Sequence, residues 1–121
     1  MKKILIIDDE SDIRNLIKEI LYINGYNDIT DMPDALGALD CHNTNKFDLM
    51  ILDYNLPGIN GKEFVTTLRE YDNKTKVIMI TGNFLTEEIK ELLFQKKIQD
   101  YIPKPFSVDK FACKINKFLC V

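Results

Sequence analysis

The stretch Asp48–Gly61, DLMILDYNLPGING, decides the fold. Leu49, Met50, Ile51 and Leu52 form an unbroken apolar run, the pattern of a strand buried on both faces of a parallel sheet. The run ends at one acid, Asp53, and Pro57-Gly58-Ile59-Asn60-Gly61 then turns the chain. Phe64, Val65 and Leu68 follow at helical spacing. The stretch predicts a strand, an acidic strand end, a turn and a helix.

The same unit repeats on either side. Ile4 to Ile7 and Val77 to Ile80 are further continuous apolar runs, and Asp28 to Thr30 and Asp100 to Ile102 are weaker strand candidates. Ile13, Leu16, Ile17, Ile20 and Leu21 make an apolar stripe at helical period, with Arg14, Lys18 and Tyr22 off it. Leu36 and Leu39 belong to a second helix opened by Pro33. Ile89, Leu92 and Leu93 mark a fourth helix with Thr86 as N-cap. Val108, Phe111, Ala112, Ile115 and Leu119 mark a fifth after Ser107. Five strands alternating with five helices predict right-handed βαβ units and a parallel sheet covered on both faces. In such sheets ligands bind beyond the carboxyl ends of the strands.

Those ends carry chemistry. The first run ends at Asp8-Asp9-Glu10, the central one at Asp53, the fourth at Thr81-Gly82-Asn83, and the fifth strand leads into Pro103-Lys104-Pro105. Asp8, Asp9 and Asp53 brought together would repel one another unless a cation joined them. A hard divalent ion with oxygen ligands, Mg2+ or Mn2+, suits that set. With Lys104 it cancels the three negative charges and leaves the site ready for a dianionic phosphoryl group. A positioned Asp can itself be the nucleophile and carry an aspartyl-phosphate, with Lys104 and the Thr81 hydroxyl holding the transferring oxygens. Singly, each residue has an ordinary role: an acid capping a helix, a β-forming Thr, a solvated loop Lys. Their arrival at successive strand ends favours the chemical reading.

Composition narrows the alternatives. The 121 residues, 45% hydrophobic and 29% charged, fit one domain spanning residues 1–121. A net charge of −3 with no Lys/Arg cluster argues against direct nucleic-acid binding; Lys96–Lys97 and Lys114 with Lys117 read as solvated faces. No apolar run is long enough for a bilayer span, and acids follow directly on the short apolar stretch of MKKILIIDDE. No membrane association and a cytoplasmic location are therefore expected. Cys41, Cys113 and Cys120 are odd in number and lack CxxC spacing, so reduced thiols are expected, Cys120 among them as an exposed one. His42, alone, reads as a surface residue.

Four segments, ILIIDDE (4–10), DLMILDYNLPGING (48–61), VIMITG (77–82) and DYIPKPF (100–106), carry a resemblance over essentially the whole chain. In that order and spacing it resembles the receiver domains of two-component response regulators, the CheY-like superfamily. The resemblance implies a flavodoxin-like doubly wound (βα)5 fold with a five-stranded parallel sheet in the order 2-1-3-4-5. It implies Asp53 as phosphoacceptor, Asp9 as a direct Mg2+ ligand, Asp8 acting largely through water, and Asn55 giving a backbone carbonyl to the metal. It implies Lys104 on the phosphoryl group beside a cis peptide before Pro105, and Thr81 with Tyr101 as a switch pair. The implied partners are a sensor histidine kinase or histidine phosphotransferase, docking at the first-helix edge (Arg14, Asn15, Lys18), and an undetermined downstream protein or fused output domain. Output would lie on the fourth helix, fifth strand and fifth helix, including Lys90 and Tyr101. Such a domain is a phosphoryl carrier in signal transduction, assisting its own phosphorylation and dephosphorylation, and not a conventional turnover enzyme.

Lys97-Ile98 replaces the family's frequent Gly-Ala before the fifth strand, and Ala35 stands at the usual Gly opening the second helix. Asn55 and Asn83 occupy the positions that tune phosphoryl lifetime in the family. A haloacid-dehalogenase-like phosphatase is the rival enzyme reading, but it needs a second Asp where this chain has Asn55. A flavodoxin-like FMN binder would meet repulsion from Asp8-Asp9-Glu10. A degenerate receiver, acting only as a binding module, should lack part of the acidic set that is intact here. The chain's end after the fifth helix fits a stand-alone receiver or a domain cut from a longer regulator.

Overall fold

Strands β1 (Lys3–Ile7), β2 (Asp28–Met32), β3 (Leu49–Asp53), β4 (Lys76–Thr81) and β5 (Asp100–Pro103) alternate with helices α1 (Ser11–Ile23), α2 (Ala35–Asn45), α3 (Gly61–Arg69), α4 (Glu87–Phe94) and α5 (Val108–Leu119). This is a computed structural model that describes residues 2–82 and 85–119. The strands form one parallel sheet, as the βα alternation predicts, in the order β2-β1-β3-β4-β5 that the family resemblance implies.

The two-residue period of each strand divides the core. Leu5, Ile7, Met50, Leu52, Val77 and Met79 face α2, α3 and α4, where Ala38, Phe64, Leu68, Ile89 and Leu92 cover them. Ile4, Ile6, Leu49, Ile51, Ile78, Ile80 and Ile102 face α1 and α5, against Ile17, Ile20, Leu21, Phe111 and Ile115. The three strongest runs are hydrophobic throughout because both faces are buried. Edge strand β2 is half-exposed along its length, which is why its signal was weak.

Helix starts follow their caps. Asp34 accepts from the Gly37 N–H, Asn60 from the Glu63 N–H and Thr86 from the Ile89 N–H. Pro33 lies one residue before the Asp34 cap, outside the α2 helix. The apolar stripes need correction at three places: Leu16, Leu36 and Val108 are exposed. In α2 the buried positions are Ala35, Ala38 and His42; Leu39 is partly buried against the core as expected, whereas Leu36 lies off that face.

His42 is the largest departure. It is fully buried. Its Nδ1 accepts the Phe47 N–H at 3.1 Å, which places the ring proton on Nε2, 2.5 Å from Asp72 Oδ2. Asp72 also accepts from the Thr75 hydroxyl at 2.8 Å and from the Lys74 and Thr75 N–H groups. Burial pushes the Asp72 carboxyl up, but the His42 and Thr75 hydrogen bonds outweigh it and hold the group well below the usual carboxylate range. This network ties α2 to the loop before β4, at the sheet end away from the strand-end acids. Cys41 and Cys113 are free thiols, and Cys120 lies outside the described residues. No helix among the described residues is long and apolar enough to cross a membrane.

Candidate functional site at the carboxyl edge of the sheet

Parallel pairing of β1 with β3 sets Ile7 beside Leu52, so the residues that follow them, Asp8 and Asp53, emerge together. Each leaves the core where its strand ends, and both stay buried. Asp9 is exposed. Carboxylate oxygens of Asp8, Asp9 and Asp53 lie within 4.8 Å of one another. The Lys104–Pro105 peptide is cis, and Lys104 Nζ stands 3.6 Å from both Asp8 Oδ2 and Asp53 Oδ2. The Lys104 N–H donates to the Thr81 carbonyl at 2.7 Å, which draws the ends of β4 and β5 together. Thr81 is buried. The sequence-predicted acids, lysine and threonine are thus gathered at one edge.

Electrostatics mark this edge as short of positive charge. Burial and the neighbouring Asp8 charge push the Asp53 carboxyl above its ordinary range, against the pull of Lys104. Asp8 Oδ1 accepts the Glu10 N–H at 2.8 Å, whereas Asp8 Oδ2 is buried and accepts no hydrogen bond. Lys104 Nζ, 3.6 Å away, is shared between this oxygen and Asp53 Oδ2, so one ammonium stands among three clustered acids, and burying carboxylates is costly without further positive charge. The residues therefore fit a divalent cation by donor type, spacing and charge.

The loop after Asp53 is held from several sides. The Asn55 N–H donates to Asp53 Oδ1 at 3.3 Å, the Tyr54 N–H donates to the Ile80 carbonyl at 2.9 Å, and the Gly61 N–H donates to the Tyr54 carbonyl at 2.7 Å. The Tyr54 hydroxyl bonds to Glu88 at the start of α4. Gly58, at φ +81°, provides the left-handed turn.

Tyr101, on β5, is half-buried against the α2–α3–α4 side of the core. Lys114 Nζ sits 5.3 Å from the ring centroid and donates to the Tyr101 carbonyl and to Asp100. Lys114 is therefore not the solvated charge expected of it. Ile98, where the family often has a small residue, is buried in the core. Asn83 lies outside the described residues.

Two functional-edge features escaped the sequence reading. Arg14 and Lys18, expected as an exposed docking edge, turn instead to Asp31 of β2, at 2.8 and 3.1 Å. Burial pushes the Asp31 carboxyl up, but hydrogen bonds from Arg14 and Lys18 outweigh it and leave the group below its ordinary range. Arg14 Nη1 also donates to the Asp8 carbonyl at 2.7 Å. The available signal was an acid within a weak strand together with two bases four residues apart on α1. The Tyr54–Glu88 link had no signal in spacing.

Comparison with known proteins agrees with this fold. The model of the response regulator receiver domain matches residues 4–116. The chemotaxis protein CheY-3 of Vibrio cholerae serotype O1 is 35% identical over 118 residues, 95% of this chain and 89% of that protein. The transcriptional regulatory protein CpxR of Escherichia coli K12 is also 35% identical, over 98% of this chain but only 50% of its own length. A solved Francisella response regulator 1452 receiver domain superposes with a TM-score of 0.87 at 32% identity, covering 98% of this chain and 96% of that one.

Proposed function

The chain belongs to the response regulator receiver family, and from that premise we propose that it carries a signal as a phosphoryl group on Asp53. The observation that carries this reading is the meeting of Asp8, Asp9 and Asp53 within 4.8 Å, with Lys104 3.6 Å from two of them. Asp8, Asp9, Asp53 and the backbone carbonyl of Asn55 are the groups proposed to hold Mg2+. When bound, the ion supplies the charge that neutralises these acids and the transferring phosphoryl oxygens.

The chain's own residues divide the remaining work. An Asp53 carboxylate oxygen forms the new O–P bond while the bond from phosphorus to the donor breaks, N–P for a phosphohistidine. The electron pair leaves with the donor imidazole, which takes a proton from water. Lys104 stands where an ammonium can hold a phosphoryl oxygen, and the Thr81 hydroxyl is proposed for another. Hydrolysis of the acyl phosphate returns the carboxylate. Asn55 has no acidic proton to give a leaving group, so the site is better suited to carrying a phosphoryl group than to sustained ester turnover.

The donor would be a sensor histidine kinase or histidine phosphotransferase. With Arg14 and Lys18 drawn toward Asp31, exposed Asn15 remains as the expected contact on the near edge of α1. Output is assigned to α4, β5 and α5, where Thr81 moving toward the phosphoryl group would let the Tyr101 ring turn inward. Labelled acetyl phosphate with Mg2+ should leave one label that hydroxylamine removes, absent in Asp53→Asn. Continuous release of inorganic phosphate from added phosphate esters would point to the phosphatase reading. Unlabelled wild-type chain would leave only a binding module. A beryllofluoride adduct should shift the ring resonances of Tyr101; unchanged resonances would remove it from the switch.

A further inference from the structure

We infer that Arg14 is a positioning residue for the acidic site, fixing Asp8 through its main chain, with Asp31 as the anchor that aims the guanidinium. The inference rests on the proposed Mg2+-dependent function and deepens it.

Asp8 is constrained at every hydrogen-bonding group but one. Its N–H donates to the Met32 carbonyl at the end of β2 at 3.1 Å. Its Oδ1 accepts from Glu10 at 2.8 Å, and its carbonyl accepts Arg14 Nη1 at 2.7 Å. The remaining group, Oδ2, is the buried oxygen without a hydrogen-bond donor. Asp8 is therefore fixed from strand β2, from Glu10 at the α1 cap and from Arg14 within α1, and one oxygen is left toward the site, with Lys104 Nζ 3.6 Å from it.

Arg14 is suited to this role by shape. Its Nε is engaged by Asp31 Oδ2 at 2.8 Å while a different nitrogen reaches the Asp8 carbonyl. A guanidinium can do both at once because its donors are fixed in a planar fork; an ammonium concentrates its donors on one nitrogen. The side chain is largely buried, 16% exposed, so it is ordered at the time a ligand arrives. Asp31 is held in turn by Lys18 at 3.1 Å and lies beside Ile6 in the β1–β2 register, one strand away from the acids. Groups one layer out from metal ligands act in this way, by setting ligand orientation before binding.

The test measures Mg2+ binding to the unphosphorylated full chain by calorimetry, with urea unfolding of each variant alongside. Arg14→Ala should weaken Mg2+ binding by about 10-fold or more. Asp31→Asn, which leaves Arg14 present but removes the charge of its anchor, should weaken it less and in the same direction. Arg14→Lys keeps the charge without the fork and should stay near the Arg14→Ala value. In acetyl phosphate labelling, the half-saturating Mg2+ concentration should rise in these variants while the rate at saturating Mg2+ recovers. A variant that was merely destabilised would lose rate at every Mg2+ concentration. Wild-type affinity in Arg14→Ala overturns the inference, and wild-type affinity in Arg14→Lys reduces Arg14 to a nearby charge. If Arg14→Ala does not fold, Arg14→Lys and Asp31→Asn decide by the same criteria. A wild-type chain that binds no Mg2+ overturns the proposed function along with the inference.

Discussion

Asp53 and His42 are both buried polar residues, and their surroundings give them opposite effects on folding. Burial and the Asp8 charge raise the Asp53 carboxyl. A carboxyl raised in the folded chain contributes stability that is present below the unfolded value of about 3.9 and is lost as pH rises through the folded value. Without divalent cations, Asp53→Asn should therefore unfold at higher urea than the parent at pH 7. The gap should close as pH falls toward 4, and a gap independent of pH would contradict this account. His42 holds the Phe47 N–H and Asp72 in place without contact with solvent. His42→Ala leaves a cavity and unpaired buried partners, and should cost about 3 kcal/mol in urea unfolding. Unchanged stability would show that the network holds nothing. Sequence could not reveal His42 as buried, since a lone polar residue declares its burial only through partners distant in the chain. Asp53 was legible because it terminates an apolar run.

Strands and the Thr86 cap were legible at the level of elements, while the Asp34 and Asn60 caps and part of the helix phase were not. Continuous runs such as Leu49–Leu52 report burial on both faces directly, and Thr86 was recognisable as the cap of α4. In α2 the sheet is met by Ala35, Ala38 and His42, spaced three and four residues apart, while the larger Leu36 points to solvent. Side-chain size misled there, because two alanines and a histidine, and not Leu36, take the buried positions of α2. The turn after Asp53 depends on Gly61. A methyl group added at Gly61 would stand 2.9 Å from Met79 Cε and 3.0 Å from Tyr54 Cα. Met79 can move, but the Tyr54 backbone is fixed beside Asp53. Gly61→Ala should cost on the order of 1–3 kcal/mol and slow phosphorylation of Asp53 by displacing Tyr54. A variant with parental stability and labelling rate would show that the loop has room to give.

For the molecule as a whole, one parallel sheet converts residues far apart in sequence into neighbours. Asp8, Asp53, Thr81 and Lys104 come from four strand ends and share an edge only because strand order β2-β1-β3-β4-β5 places those ends in sequence across the sheet. The parallel sheet and the residues at its strand ends follow from the alternation of β and α segments, whereas the strand order came from the family resemblance. The Arg14–Asp31 contact had only a weak signal, an acid in a weak strand and two bases four residues apart, because pairing across β1 and β2 sets which acid the α1 bases find. The same sheet joins the site to the proposed output face: β4 ends at Thr81, β5 carries Tyr101, and the Lys104 N–H donates to the Thr81 carbonyl. The proposed role of this edge is to hold a phosphoryl group on Asp53. Intact mass after incubation with acetyl phosphate and Mg2+ tests it most directly. The account predicts a gain of one phosphoryl group in the parent chain, prevented by chelator and absent in Asp53→Asn; an unmodified parent chain, or equal modification of Asp53→Asn, would contradict it.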